Sequence, residues 1–295
     1  MRSGRPGRGG SEPPTQRASS AALVQRTLVN AVRFVLCDLD GVVWLARRAI
    51  PGAADAVERL RSSGRRVLFV TNNSMSRLAE QERALAAIGI PAVGDVVTSA
   101  QAGASLVDAG QRVLVCGGDG VVEAVEARGA SAVTTDGGFD AGLDTGFDAV
   151  IVGLHRHFDY DGLQAANAAI RSGACFIATN DDVTYPTPEG PIPGAGALVA
   201  AVRAVSETEP TIAGKPHRPM ADLVADRCGP AYAPSAAIVV GDRGSTDGRF
   251  AAAIGCPFAL VRSGVTPPGG PTDATVSPVV DVADLAAVAD WLLDA

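Results

Sequence analysis

Two aspartates separated by one residue, Asp38 and Asp40, follow directly on the apolar run Phe34-Val35-Leu36-Cys37. Other groups capable of chemistry stand in similar places. The run VLFV (67–70) opens into Thr71-Asn72-Asn73-Ser74, AIVVG (237–241) opens into Asp242 with Asp247 five residues on, and Lys215 lies in AGKPH just ahead of the helical stretch MADLVADRC. Singly, each has an ordinary explanation, because Asp, Asn and Ser end strands and cap helices as turn formers, and a lysine is usually a solvated charge. Together they place acids, a hydroxyl and an ammonium where strands end, and that set suits phosphoryl transfer. A phosphate dianion repels a carboxylate nucleophile, so a cation has to neutralise both. Mg2+ takes oxygen ligands, a few of them carboxylates, and keeps positions for substrate oxygen and water. On this reading Asp38 and Asp242 supply carboxylates, Thr71 donates to phosphoryl oxygen, and Lys215 balances its charge. Asp38 attacks phosphorus, splitting one displacement into two easier steps. Asp40 protonates the leaving alkoxide and then activates water.

Lys215 stands out further because the 25 Lys and Arg residues include no other lysine. An ammonium acts on phosphate as a compact point charge, which a planar guanidinium does not reproduce.

These residues need a scaffold that gathers strand ends. From residue 33 onward, short Val/Ile/Leu runs at 33–37, 65–70, 112–118, 147–153, 173–179, 235–241 and 257–261 alternate with amphipathic stretches. Continuous apolar strands separated by helices indicate parallel strands covered on both faces, an α/β doubly wound, Rossmann-like architecture. Ligands in such sheets bind in the crevice at the carboxyl ends of the strands, where the motifs lie.

Composition sets outer limits. The chain has 295 residues, 47% hydrophobic and 4% aromatic, with a net charge of −7. That length holds one large domain or two moderate ones. No basic tract beyond the N-terminal arginines offers the clustered positive charge that nucleic acid requires. No apolar run reaches the roughly 18 residues of a membrane span. Residues 1–22, rich in Gly, Pro and Ser, read as a disordered leader. The five cysteines are scattered without a C-x-x-C pair, and Cys37, Cys116 and Cys175 lie in or beside apolar runs. Buried, reduced thiols of a cytoplasmic protein fit this better than a disulfide framework.

The four ordered strings DLDGVVW (38–44), TNNS (71–74), GKP (214–216) and VGDRGSTD (240–247) resemble the haloacid dehalogenase superfamily of phosphatases. AIPGAADAVERL, IVGLHRHFDY and TNDDVTYP are similar to its branch of 4-nitrophenyl-phosphatase-like, phosphoglycolate and pyridoxal-phosphate phosphatases, and the likeness covers roughly residues 31–290. The resemblance implies Asp38 as nucleophile and metal ligand, and Asp40 as acid/base whose backbone carbonyl also binds Mg2+. It implies Thr71, Asn72, Asn73 and Lys215 around phosphate, Asp242 on the metal, and Asp247 supporting the metal's water shell. It also implies an inserted α/β cap that chooses the substrate, a small phosphorylated metabolite, and it is compatible with a homodimer paired through that cap. The resulting expectation is a core at 23–108 and 191–295 and a cap at 109–190, with 191–196 as the return hinge. His157, Asn180 and Asp182 are the expected cap contacts to substrate. Two positions depart from the family pattern: Ser245 replaces a common acidic residue, and Gly248-Arg249-Phe250 replaces the usual small apolar start of a helix. Phosphate transfer to another acceptor, and a non-catalytic phosphometabolite-binding module, stay open as alternatives.

Overall fold

The computed structural model describes residues 23, 25–135, 146–187, 190–270 and 276–294. The expected leader at 1–22 lies outside them. Among the described residues, eleven strands build two parallel sheets. They are β1 (Phe34–Cys37), β2 (Arg66–Thr71), β3 (Val96–Thr98), β4 (Arg112–Cys116), β5 (Ser131–Thr134), β6 (Ala149–Val152), β7 (Cys175–Ala178), β8 (Thr211–Ile212), β9 (Ala237–Gly241), β10 (Phe258–Val261) and β11 (Val280–Val282). The first sheet runs β11-β10-β9-β1-β2-β3, and the second runs β8-β7-β6-β4-β5. The α/β class expected from the alternating runs is what the chain adopts.

The first sheet is buried on both faces because its strands are apolar along most of their length, and a strand sends successive side chains to opposite sides. Val35, Val67, Phe69, Ile238 and Val240 pack under helices Ala53–Ser62 and Leu285–Leu293. Leu36, Leu68, Val70 and Val239 face Met220 and Val224 of helix Arg218–Cys228 and Phe250 of helix Arg249–Ile254. Each such side chain contributes about 1.5–3 kcal/mol by leaving water, so Leu36→Asp would unseat the central strand. Register then sets the site. Cys37 pairs with both Phe69 and Val240, so Asp38, Thr71 and Asp242 leave adjacent strands at nearly one height.

The second sheet is covered on one face by helices Tyr160–Arg171 and Ala195–Ser206, and on the other by Ala100, Ala104 and helix Asp119–Ala127. Its apolar contacts extend past the boundary expected at 190. The Pro/Gly run read as a return hinge instead forms the strand Gly190–Pro193, paired antiparallel with Thr184–Thr187, and then starts helix Ala195–Ser206. Val199 and Val202 of that helix join the second core, and β8 completes its sheet. Of the five thiols four are buried, as expected, but Cys175 is exposed at the first position of β7.

Candidate active site

The backbone after β1 is held in place before any side chain acts. The Asp38 N–H donates to the Val240 carbonyl at 2.9 Å, which ties the end of β1 to β9. A tight turn follows, with Gly41 at φ +87°, a conformation that disfavours any residue with a Cβ. A Cβ at Gly41 or at Gly264 would collide with the Asp242 carboxylate, so both glycines let backbone close around that acid. The Val265 N–H donates to Asp242 Oδ2 at 2.5 Å. Trp44, at the end of the turn, donates its indole N–H to Asp40 Oδ1 at 3.1 Å and so aims that carboxyl group.

Lys215 lies between two acids, with Nζ 2.7 Å from Asp38 Oδ1 and 2.7 Å from Asp247 Oδ1. Its side chain is 3% exposed, that of Asp247 2%, and that of Asp38 13%. Asp247 is presented by the π-helical turn Gly244–Gly248, and its second oxygen accepts from the Arg243 N–H at 3.2 Å. Gly248 lets this turn pass close to Val276 and Phe258, which accounts for one departure from the family pattern. Nothing in the structure explains Ser245. Asp38, Asp242 and Asp247 bring carboxylate oxygens within 4.8 Å of one another, an arrangement suited to a hard divalent cation.

Burial and crowding shape the electrostatics. Burial drives Asp38 well above the usual carboxylate range, against the opposing pull of the Lys215 charge. Burial, then the Asp247 charge, pushes Asp242 up to about 6. Burial also raises Asp40, with the Trp44 hydrogen bond opposing it. For Lys215, burial works against the ammonium, but the Asp247 and Asp38 charges outweigh it and its pKa rises. The lysine therefore stays charged, while Asp40 is tuned towards carrying a proton.

The loop after β2 divides its labour. Thr71 is buried and its Oγ1 accepts from the Asn73 N–H at 3.0 Å, which leaves the hydroxyl hydrogen to donate into the crevice. Asn73 Oδ1 accepts from the Met75 N–H at 3.0 Å. Both ends of the Asn72 amide are spent on protein groups: Oδ1 accepts from the Lys215 N–H at 2.8 Å, and Nδ2 donates to Asp182 Oδ2 at 2.8 Å and to the Lys215 carbonyl at 3.1 Å.

One crevice brings together ten of the eleven residues expected from sequence: Asp38, Asp40, Thr71, Asn72, Asn73, Asn180, Asp182, Lys215, Asp242 and Asp247. His157 is exposed and does not line it. Asn180 is buried against the core, donating to the Asn72 carbonyl at 2.8 Å. Sequence reasoning did not single out Tyr185, Arg243 or Leu45, which also line the crevice, nor Trp44. One signal existed for Trp44: it is one of only two tryptophans and closes the motif that begins at Asp38. Tyr185 sits inside TNDDVTYP but had no acid–base or ligand pattern to mark it.

Comparison with known proteins agrees with this geometry. The family described as haloacid dehalogenase-like hydrolase matches residues 35–131, and a second, HAD-hydrolase-like, matches residues 212–288. The D-glycerol 3-phosphate phosphatase of Mycobacterium tuberculosis is 38% identical over 236 residues, 78% of this chain and 63% of that protein, so the chain spans less than two thirds of that relative. Phosphoglycolate phosphatase 2 of Arabidopsis thaliana is 32% identical over 264 residues, covering 82% of this chain and 86% of the relative. The crystal structure of the M. tuberculosis glycerol phosphate phosphatase in complex with magnesium superposes with a TM-score of 0.77 at 33% identity, over 88% of this chain and 77% of the other. With three of the motifs at the ends of the adjacent strands β9, β1 and β2, the fourth brought beside them after β8, and this likeness running through both sheets, the chain belongs to the haloacid dehalogenase-like hydrolases.

Proposed function

We propose that this protein is a Mg2+-dependent phosphatase of small phosphate monoesters that works through an aspartyl-phosphate on Asp38. The observation that carries the reading is the buried cluster in which Lys215 spans Asp38 and Asp247 while Asp242 faces both acids. Three crowded carboxylates, two of them pushed up by burial and mutual repulsion, fit a divalent cation better than they fit each other. Asp38 and Asp242 would hold Mg2+ through their carboxylates and Asp40 through its carbonyl, with Asp247 supporting its water shell. When bound, the ion supplies the positive charge that lets carboxylate and phosphate approach.

The chain's own groups supply the rest. Thr71 and the Lys215 ammonium hold phosphoryl oxygens. Asp38 forms the bond to phosphorus as the P–O bond to the leaving group breaks. Asp40, raised by burial and oriented by Trp44, delivers a proton to the departing alkoxide and afterwards takes one from the attacking water. The leaving group faces Leu45, Leu154, Tyr185, Ala195 and Val265, which come from the hairpin after β1, the end of β6, the antiparallel pair after β7, the start of helix Ala195–Ser206 and the loop after β10. We read the second sheet as a cap whose loops select the substrate. The names of the two relatives nominate glycerol 3-phosphate and phosphoglycolate as first substrates to try.

The test uses the full chain with 4-nitrophenyl phosphate, glycerol 3-phosphate and phosphoglycolate, in Mg2+ and in chelator. Turnover in Mg2+ that disappears in chelator is the expected result. Full activity in chelator, or no turnover of any ester in Mg2+, overturns the proposal.

A further inference from the structure

The amide of Asn72 sits at a junction that neither sheet makes alone. Its Oδ1 and Nδ2 clamp the Lys215 backbone from both sides, through the N–H at 2.8 Å and the carbonyl at 3.1 Å. The remaining Nδ2 hydrogen goes to Asp182 at 2.8 Å, on the loop that leaves β7 of the second sheet. An amide has two donor hydrogens, and both are used here. The clamp is tight enough to restrict its neighbour: a Cβ at Gly214 would lie 2.5 Å from Asn72 Oδ1 and 2.5 Å from the Thr179 carbonyl. Asp182 in turn reaches the loop after β9, with Oδ1 3.4 Å from Thr246 Oγ1 and 3.6 Å from the Arg243 guanidinium. The Arg243 N–H holds Asp247, and Asp247 holds Lys215 Nζ. The contacts close into a ring running from Asn72 through Asp182, Arg243, Asp247 and Lys215 back to Asn72.

We propose that Asn72 is a positioning residue which, through its hydrogen bonds to Asp182 and to the Lys215 backbone, makes placement of the catalytic ammonium depend on docking of the 180–184 loop. The inference rests on the phosphatase reading of the site, and it corrects the sequence-based expectation that Asn72 binds phosphate. Lys215 enters the crevice from a short connection between β8 and helix Arg218–Cys228, so its Nζ is only as well placed as the backbone beneath it. Misplacement by about 1 Å in such a site can cost on the order of 100-fold in rate. The second sheet thereby acts on the chemistry as well as on recognition: when Asp182 leaves, the amide loses one of the partners that orient it.

A swap of partners tests this. Asn72→Asp sets a carboxylate against Asp182 and against the Lys215 carbonyl. In Mg2+ with 4-nitrophenyl phosphate it should lower kcat by about 100-fold while the thermal transition stays cooperative. Adding Asp182→Asn restores a donor–acceptor pair with its direction reversed, and the double variant should recover about tenfold or more of the lost kcat, although Asp182→Asn alone gains nothing. An Asn72 that binds phosphate directly gives the opposite pattern: the loss appears chiefly in KM and in inorganic phosphate affinity, and Asp182→Asn does not relieve it. Absence of recovery in a folded double variant overturns the proposal. If Asn72→Asp does not fold, Gly214→Ala tests the same clamp by forcing it apart, and an unchanged kcat there also overturns the proposal. A wild-type protein that turns over no ester marks failure of the phosphatase reading instead, and the same recovery is then sought in calorimetric binding of inorganic phosphate with Mg2+.

Discussion

The two sheets are built alike and contribute differently. Each is a parallel layer of apolar strands covered by helices on both faces, and each presents strand ends towards the crevice. In the first sheet those ends carry Asp38, Thr71 and Asp242, charged or hydroxyl-bearing groups that meet one another. In the second, β4 ends in Gly117-Gly118 and β6 in Gly153-Leu154; the loop after β7 brings Asn180 and Asp182 onto groups of the first sheet, and the connection after β8 brings Lys215 onto the acids. Chemistry restricts residue type: a nucleophile, an acid and a metal ligand admit few substitutes. Recognition and docking restrict shape, and many residue types can supply a shape. The strand ends of the first sheet, together with Lys215 after β8, should therefore respond to single-atom changes, and the rest of the second sheet should respond to changes of partner and volume.

The largest expected effect tests the first half of that contrast. Asp38→Asn keeps shape and removes the proposed nucleophile, so turnover of every ester should fall by ~10,000-fold or more. Steady-state kinetics with 4-nitrophenyl phosphate check it, and residual activity within tenfold of wild type would falsify the covalent role. Asp38 also carries half of the buried ion pairing of Lys215, so the comparison must be made on protein whose circular dichroism matches wild type.

A smaller effect, opposite in sign on stability, is expected at Asp242. Its pKa is raised from 3.8 to about 6. A carboxylate raised on folding leaves the native state most stable below pH 3.8, and that contribution is lost as pH climbs through about 6. The shift corresponds to no more than about 3 kcal/mol. Without metal, Asp242→Asn should therefore melt several degrees above wild type at pH 8, and the two should converge towards pH 4. With Mg2+ at pH 8 the order narrows or reverses, because only the wild type gains the ion. A variant that is less stable than metal-free wild type at pH 8 would show that the Asp242 charge is already compensated within the protein.

The same contrast explains what could be read from the sequence. The gathering of Asp38, Asp40, Lys215 and Asp242 was legible because, although each is ordinary singly, three acids and a lone lysine following apolar runs form a combination that turn chemistry does not call for. The fold class was legible for a similar reason, since continuous Val/Ile/Leu runs such as FVLC and AIVVG have few alternatives to a buried parallel strand. The antiparallel pair that follows the second sheet's β7 was not. Gly-Pro-Ile-Pro at 190–193 reads as a linker, yet it pairs with Thr184–Thr187 and leads into a helix whose Val199 and Val202 belong to the second core. Tertiary packing decides that segment, and local composition points elsewhere. Asn72 was expected on phosphate because it stands beside Thr71; no local pattern announces that the Lys215 backbone meets both ends of its amide, the contact on which its proposed positioning role rests.

The smallest expected effect concerns the second sheet alone. From sequence, His157 was expected to face the substrate, so its loss should have raised KM and changed preference among esters. Its place in the fold argues otherwise. It follows β6 by five residues, beyond Gly153-Leu154, and of that segment it is Leu154 that lines the crevice, while the His157 ring is exposed and lies edge-on to His155 at 6.1 Å. Tyr185, from the antiparallel pair Thr184–Thr187 and Gly190–Pro193, lies in the crevice instead, and its hydroxyl is pushed up to about 12 by burial and the nearby Asp40 charge. Burial thus favours the neutral, hydrogen-bonding form of the hydroxyl, near Asp40, the proposed acid. His157→Ala should leave kcat and KM within about twofold of wild type for every ester, as surface changes away from a site usually do. Tyr185→Ala should raise KM by roughly tenfold with glycerol 3-phosphate, whose hydroxyls lose a partner, at largely preserved kcat, the pattern of a contact made equally in ground and transition states. A KM penalty at His157 that varies among esters, with Tyr185 silent, would reverse the assignment and mean that the second sheet approaches the substrate by the end of β6 instead of the loop after β7.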